Sequence, residues 1–146
     1  MEVSMVKPPL LAVSFPAVVG AILLAKRKEI GLSQAEMAEA VGLNVSTWSR
    51  VENGDSAMTI EQLAFAAVAL NVRPSSILEA TEIKLEELDA KGIATGVSRS
   101  DLGEIASMGA IPLAGVALSV ALGPIGALAA GAVTAYFYGK RKSKEK

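Results

Sequence analysis

Apolar side chains recur at helical spacing in two short stretches between Leu32 and Gly54. The first stretch follows Ser33, which is a good helix N-cap, and Glu36 three residues later completes a capping box. Gly42 follows the last apolar position, and glycine adopts the left-handed conformation of a helix C-cap at the least cost. The pattern therefore predicts a short helix that begins after Ser33 and stops at Gly42.

A second short helix is predicted directly after this glycine. Asn44 is its N-cap residue, and Gly54 marks its end. Trp48 and Val51 share its inward face, while Ser49 and several neighbours are left to face outward. The pair of helices would bury two small faces and present the outer face of the second helix, and an α-helix fits the major groove of DNA.

Three further helices are predicted around this pair. Pro16 suits the first turn of a helix that Gly31 ends. Thr59 caps an apolar helix, and Pro74 begins a fifth one over residues 74–81. Helical spacing with many charges then continues to about Lys91, and the glycines and serines of residues 92–100 indicate a flexible linker.

Charge and turn residues divide the chain into five parts. They are an extended arm (1–15), the helical domain (16–80), a charged helix with its linker (81–104), an apolar segment (105–139) and a basic tail (140–146). The uncharged run from Pro8 to Ala25 leaves a signal peptide or membrane anchor open as an alternative to an arm that enters a buried helix. Three prolines interrupt that run, which favours the arm.

Residues 105–139 contain no charge and are rich in glycine and alanine. A run of this length, with Tyr136, Phe137 and Tyr138 before a basic tail, favours a segment that associates with the membrane. The alternative is a soluble oligomerisation helix that copies of the chain bury. Gly123-Pro124 interrupts the run, so we expect a helical hairpin with both ends on the cytoplasmic side, and a single span is the other possibility.

The amino-acid composition excludes several kinds of catalytic and metal site. The chain has no Cys and no His, which excludes zinc fingers, thiol chemistry and histidine acid–base catalysis. No nucleophile–base pair can be assembled, so we predict that the protein is not an enzyme and has no cofactor and no metal site. Residues 16–80 hold five basic and seven acidic side chains, which weakens the case for DNA because phosphate neutralisation supplies most non-specific affinity.

The stretch from Leu32 to Gly54 resembles the helix-turn-helix of the phage-repressor family, also called XRE, which includes Cro and the lambda repressor. The likeness covers roughly residues 17–80 and implies an all-α chain: a five-helix lambda-repressor-like domain followed by the charged helix and linker and the apolar helical hairpin. The family's ordered motif is matched by Ser33-Gln34, Ala38, Gly42 and Glu52-Asn53-Gly54.

The same resemblance implies roles for individual residues. The positions that read base edges in the family carry Val45, Ser46 and Arg50, and those that contact phosphates carry Gln34, Thr47 and Asn53. Arg27 and Glu52 match a buried ion pair that ties the first helix to the end of the third. Other roles stay open: Arg50 in solvent or paired with an acidic neighbour, and Gln34 and Asn53 as helix caps.

The sequence as a whole predicts a repressor-like, sequence-specific regulator of transcription that binds double-stranded DNA as a homodimer or higher homo-oligomer. Its DNA-binding domain would be cytoplasmic and held at the inner membrane of a bacterium, with membrane lipid bound through residues 105–139. The alternative is a membrane-tethered scaffold, a RodZ-like arrangement, whose helix-turn-helix domain binds a protein partner. The acidic balance favours this alternative, whereas Gln34, Arg50 and Asn53 together favour DNA.

Overall fold

The computed structural model describes residues 11–98 and 100–113. In this part of the chain six helices and three short strands follow one another. The helices are α1 (Phe15–Ile30), α2 (Gln34–Val41), α3 (Val45–Glu52), α4 (Ile60–Ala69), α5 (Pro74–Ala90) and α6 (Leu102–Ser107). The strands are β1 (Leu11–Ser14), β2 (Ala94–Val97) and β3 (Ile111–Pro112).

The helix boundaries follow from local capping chemistry. Ser33 and Glu36 form the predicted capping box at the start of α2, and Thr59 forms the same box with Gln62 before α4. Gly42 ends α2 in the left-handed conformation, with φ of 74°, which a side chain at this position would strain. The predicted helix order is confirmed, and α5 continues without a break through the charged residues to Ala90.

One core cluster holds the five predicted helices together. Trp48 and Val51 of α3 pack there against Met37 of α2 and Leu23 of α1, and all four side chains are buried. Helices α4 and α5 complete the cluster, with α4 packed against α2 and α5 against α1. Burial of this many large apolar side chains, each contributing about 1.5–3 kcal/mol, stabilises the arrangement of α2 and α3.

A small parallel sheet lies beside this helical domain, in the order β2-β1-β3. The central strand β1 pairs with β2 through Ala12 and Ala94, and with β3 through Leu11 and Ile111. Pro112 lies on an edge strand, where its missing amide hydrogen costs no ladder hydrogen bond. The prediction of an all-α chain is therefore wrong in this respect, although the fold is predominantly helical.

A second core cluster joins the sheet to the helices. Val13 of β1 packs with Ala17 and Val18 of α1, Leu88 of α5 and Leu113 after β3, all of them buried. Residues 11–14 of the predicted arm are thus a buried strand, and residues 94–97 of the predicted linker are its neighbour. The two ends of the described chain meet at β1.

The apolar segment does not begin as expected. Its first residues extend helix α6, which ends at Ser107, and then form β3. The first leg of the expected hairpin, from about Gly109, therefore starts as a turn and a strand, and the rest of the hairpin lies outside the described residues, at 114–139. In the part of the chain that the structure describes, no helix is both long and apolar enough to cross a membrane.

Candidate nucleic-acid interface

Helix α3 presents the residues that we expected to read base edges. Val45 is 46% exposed, and Ser46 and Arg50 are also exposed, so the three side chains lie on the outer face of the helix. Trp48 and Val51 on the opposite face are buried in the core. The amphipathic pattern of α3 thus separates an anchoring face from a face that is open to a partner.

The start of α3 is held by its own capping residue. The side-chain oxygen of Asn44 accepts a hydrogen bond of 2.7 Å from the backbone amide of Thr47. The backbone amide of Thr47 is therefore already hydrogen-bonded within the protein. The residue as a whole is half-buried. Asn53, also half-buried, is the C-cap residue, and its amide donates to the carbonyl oxygen of Ser49.

Glu52, at the end of α3, is the centre of a buried hydrogen-bond network. Its carboxylate is 1% exposed and accepts two hydrogen bonds from Arg27, of 2.5 Å from Nε and 3.0 Å from Nη2. The Gln34 amide and the indole Nε1 of Trp48 each donate another at 2.8 Å. The bidentate Arg27–Glu52 ion pair therefore ties the end of α3 to α1, and Gln34 adds the first residue of α2.

Arg27 extends this network to the turn between α1 and α2. Its Nη1 donates a hydrogen bond of 2.8 Å to the carbonyl oxygen of Leu32. One guanidinium thus joins the end of α3 to the residue just before the N-cap of α2. The relative orientation of α2 and α3 depends on this buried group as well as on apolar packing.

The side chain of Gln34, which the family resemblance assigns to a phosphate contact, makes a hydrogen bond inside the protein. Its side chain is half-buried, and its nitrogen donates to Glu52. An amide nitrogen carries two hydrogens, and the bond to Glu52 uses one of them. Gln34 therefore connects the interior of the domain with its surface at the N-terminus of α2.

Gly20 of α1 permits the close approach of α3. A Cβ atom at this position would overlap the carbonyl oxygen of Val51 and lie 3.0 Å from that of Glu52. The backbone at the end of α3 therefore packs directly on the backbone of α1. Glycine in a helix interior costs about 0.5–1 kcal/mol relative to alanine, and the close contact explains why this position carries it.

We expect Gly20→Ala to lower the free energy of unfolding by about 1–3 kcal/mol, because the added methyl group forces the end of α3 away from α1. Gly103→Ala is the matched control, since this glycine is also helical and a Cβ there meets nothing within 4 Å. The control should be neutral or slightly stabilising. Urea denaturation followed by circular dichroism compares the two variants, and equal midpoints would contradict the close-packing role.

The charges around α2 and α3 are mixed. Lys26 and Lys28 lie in the second half of α1, half-buried and exposed respectively. The backbone amide of Ser33 donates to the Glu36 carboxylate at 2.7 Å, which holds the pKa of Glu36 below its usual range. Glu36 thus stays negative at neutral pH beside the N-terminus of α2. Among the described residues, no cluster of acidic side chains could hold a metal ion that would offset this charge.

Two members of this site were not predicted from the sequence. Trp48 was expected in the core, but the hydrogen bond from its indole to Glu52 was not expected, although a spacing of four residues on one helix was a signal for that contact. No role was expected for Gly20. The close approach that explains this glycine joins residues far apart in the chain, so no local pattern shows it.

Comparison with known proteins shows which protein family the chain belongs to. The family described as helix-turn-helix matches residues 23–77, which include α2, α3 and the turn between them. The chain is 35% identical over 80 residues to the "ImmF control region 10 kDa protein" of Bacillus phage phi105, and the alignment covers 55% of this chain and 88% of the phage protein. The chain therefore belongs to the helix-turn-helix family of phage-repressor-like proteins.

A solved structure supports the fold. The clp gene regulator ClgR from Corynebacterium glutamicum superposes with a TM-score of 0.51 at 23% sequence identity. The superposition covers 62% of this chain and 88% of that chain. At this identity the likeness concerns the fold alone.

Proposed function

We propose that this protein is a sequence-specific, DNA-binding regulator of transcription that inserts α3 into the major groove. The observation that carries the proposal is the exposed face of α3, with Val45, Ser46 and Arg50 outward while the opposite face is fixed in the core. Membership of the helix-turn-helix family, whose members bind DNA, supports the same function. The protein would act by occupying an operator, and it would catalyse no reaction.

Each outward side chain of α3 has a distinct recognition role in this proposal. Arg50 donates two hydrogen bonds to the O6 and N7 atoms of a guanine, which discriminates against other bases by about 1–3 kcal/mol. Val45 contacts the methyl group of a thymine, and Ser46 donates to or accepts from either type of base pair. Arg50 therefore carries most of the sequence preference.

Contacts to the DNA backbone set the orientation of α3. Gln34 lies at the first position of α2, where unpaired backbone amides attract a phosphate, and its second amide hydrogen can be donated to the same group. Thr47 and Asn53 flank the recognition face of α3 and contact neighbouring phosphates. Because Gln34 also binds Glu52, a phosphate held at α2 is mechanically linked to the end of α3.

The slightly acidic domain favours binding as a homodimer. A single copy has few cations with which to release counterions, so its salt-dependent affinity for DNA is small. Two copies on a two-fold symmetric operator double the phosphate contacts, with half-sites about 34 Å apart. We therefore expect the affinity of the protein for a single half-site to be much lower than for the complete operator.

Arg50→Ala tests the proposal directly. We expect the variant to remain folded but to lose about 1–3 kcal/mol of discrimination at one base pair of each half-site, which is about 5- to 150-fold in relative affinity. Selection from a randomised duplex pool identifies the preferred site, and competition binding then measures discrimination. Arg73→Ala is the control, because Arg73 is an exposed arginine at the start of α5 and belongs to neither α2 nor α3.

Two outcomes would contradict this reading. If Arg50→Ala selects the same site with the same affinity, direct readout by Arg50 is wrong. If the unaltered protein enriches no sequence from the pool while it remains folded, the alternative of a protein-binding helix-turn-helix domain replaces DNA recognition.

A further inference from the structure

An apolar groove opens on the side of the domain where β1 meets α1. The start of α1, the loop after α3 and the first turns of α4 and α5 form its walls, and it encloses about 190 Å³. Its lining includes Phe15, Pro16, Met58, Ile60, Leu63 and Leu78. Among the residues that the structure describes, no charged side chain lines it, so the groove suits an uncharged apolar occupant.

Several large apolar side chains at this groove remain open to solvent. Ile60 is 87% exposed, and Phe15 and Leu78 are exposed as well. Single exposed apolar residues are ordinary, but a contiguous set around a concave surface marks a place where another apolar group binds. The groove is therefore incomplete in the described part of the chain.

The path of the chain points to the occupant. Strand β3 runs parallel to β1, with Ile111 opposite Leu11, and the amide of Leu113 donates to the carbonyl oxygen of Ala12 at 2.8 Å. The chain thus leaves the described part heading in the same direction as β1, whose next residue after Ser14 is Phe15 of the groove. Strand spacing of about 4.8 Å and two residues at about 3.3 Å place Leu113 roughly 8 Å from Phe15.

The residues that follow have the composition that the groove requires. Residues 114–122 read AGVALSVAL, and the next charged residue is Lys140. Two or three residues in extended conformation are enough to cover the distance from Leu113 to the mouth of the groove. Entry of this segment would remove its own apolar surface and that of Ile60 from water.

We propose that residues 114–122 of the same chain bind in this groove. The proposal goes beyond DNA binding and does not depend on it. Val51 of α3 and residues 56–58 also line the groove, so its occupant packs against the far end of the recognition helix and the loop that follows it. The apolar segment is then a functional part of the helix-turn-helix domain, and its departure would loosen the support of α3.

Paired cysteines in the full chain test this inference, because the chain has no cysteine of its own. One variant combines Ile60→Cys with Ser119→Cys. Its matched control combines Val68→Cys with Ser119→Cys, since Val68 lies on the same helix, is 78% exposed and does not line the groove. With a short bis-maleimide at low protein concentration, we expect at least about ten times more intramolecular cross-linking in the first pair than in the control.

A third variant adds Leu78→Glu to the first pair. A carboxylate in the groove should abolish the preference for position 60, whereas Leu78→Met should keep it. Circular dichroism verifies that both remain folded. Retention of full cross-linking with Leu78→Glu would overturn the proposal.

Other occupants give different results, and each would overturn the proposal. Equal cross-linking in the first pair and its control shows a segment without a preferred site. Cross-linked dimers in place of monomers assign the groove to a second copy. No cross-link in buffer, together with protection of position 119 from a thiol reagent only on addition of phospholipid vesicles, assigns the segment to lipid.

Discussion

Replacing Glu52 with leucine is expected to lower the free energy of unfolding by about 3–5 kcal/mol. The carboxylate accepts four hydrogen bonds from Arg27, Gln34 and Trp48 in a site that is closed to solvent. Leucine leaves the buried guanidinium of Arg27 without its counter-charge and the indole of Trp48 without an acceptor. An uncompensated buried charge is far more costly than the net value of the pair it came from.

Urea denaturation followed by circular dichroism measures this effect. Glu86→Leu is the control, since Glu86 is an exposed carboxylate on α5, and its loss should change stability by no more than about 0.5 kcal/mol. Arg27→Met combined with Glu52→Leu should cost less than the sum of the two single changes, because it removes both charges together. Strict additivity of the two single changes would show that the ion pair contributes no coupling energy.

The same network links stability to the proposed recognition of DNA. Arg27 reaches both the end of α3 and the turn before α2, and Gln34 contacts Glu52 from the first residue of α2. We therefore expect that loss of Glu52 changes the angle between the two helices even in molecules that remain folded. We infer that site selection is sensitive to Glu52 even though this buried side chain does not reach the DNA.

Capping residues could be predicted from the sequence because their chemistry is local. Ser33, Asn44 and Thr59 each accept a hydrogen bond from an amide three residues later, so a short window contains the whole interaction. The outward face of α3 was predictable for the same reason, since helical periodicity alone separates Val45 and Arg50 from Trp48. The bounds of α1 to α4 and the exposure of the outer face of α3 follow from such windows.

The sheet could not be predicted in this way. Strand β1 has only four residues, and both of its partners lie beyond the helix-turn-helix, at positions 94–97 and 111–112. A parallel pair needs a long connection, and here the connection from β1 to β2 is the helical domain itself. Gly92 follows the end of α5 with φ of 77°. Gly96, predicted to lie in a flexible linker, is part of β2, and nothing in the local sequence indicates that this segment pairs with a distant strand.

The partner of Gln34 was unpredictable for a related reason. Its place at the start of α2 is a local feature, whereas its contact with Glu52 depends on how α2 and α3 cross. The packing of Met37, Trp48 and Val51 and the hydrogen bonds of Arg27 together define that crossing, and both join residues that are distant in the sequence. A residue expected at the surface is thereby also a part of the interior network.

Val13→Asp is expected to destabilise the protein by at least about 3 kcal/mol, because it buries a carboxylate with no cationic partner. Val13 is fully buried among Ala17, Val18, Leu88 and Leu113, so the new charge would face apolar side chains from every neighbouring element. The effect would show that a strand before the helix-turn-helix is part of the folded domain. Ile83→Asp, at a half-exposed apolar position on α5, is the control and should change stability by no more than about 0.5 kcal/mol.

Two measurements separate loss of the sheet from general unfolding. Urea denaturation gives the free energy of unfolding of both variants, and amide hydrogen exchange follows the Leu113 amide, which donates to Ala12 across the sheet. In Val13→Asp this amide should exchange much faster at urea concentrations where the amides of α2 and α3 remain protected, since among the described strands β2 and β3 each pair with β1 and not with each other. Equal stability of the two aspartate variants, with Leu113 still protected, would mean that β1 does not contribute to the core, and the domain would then begin at α1.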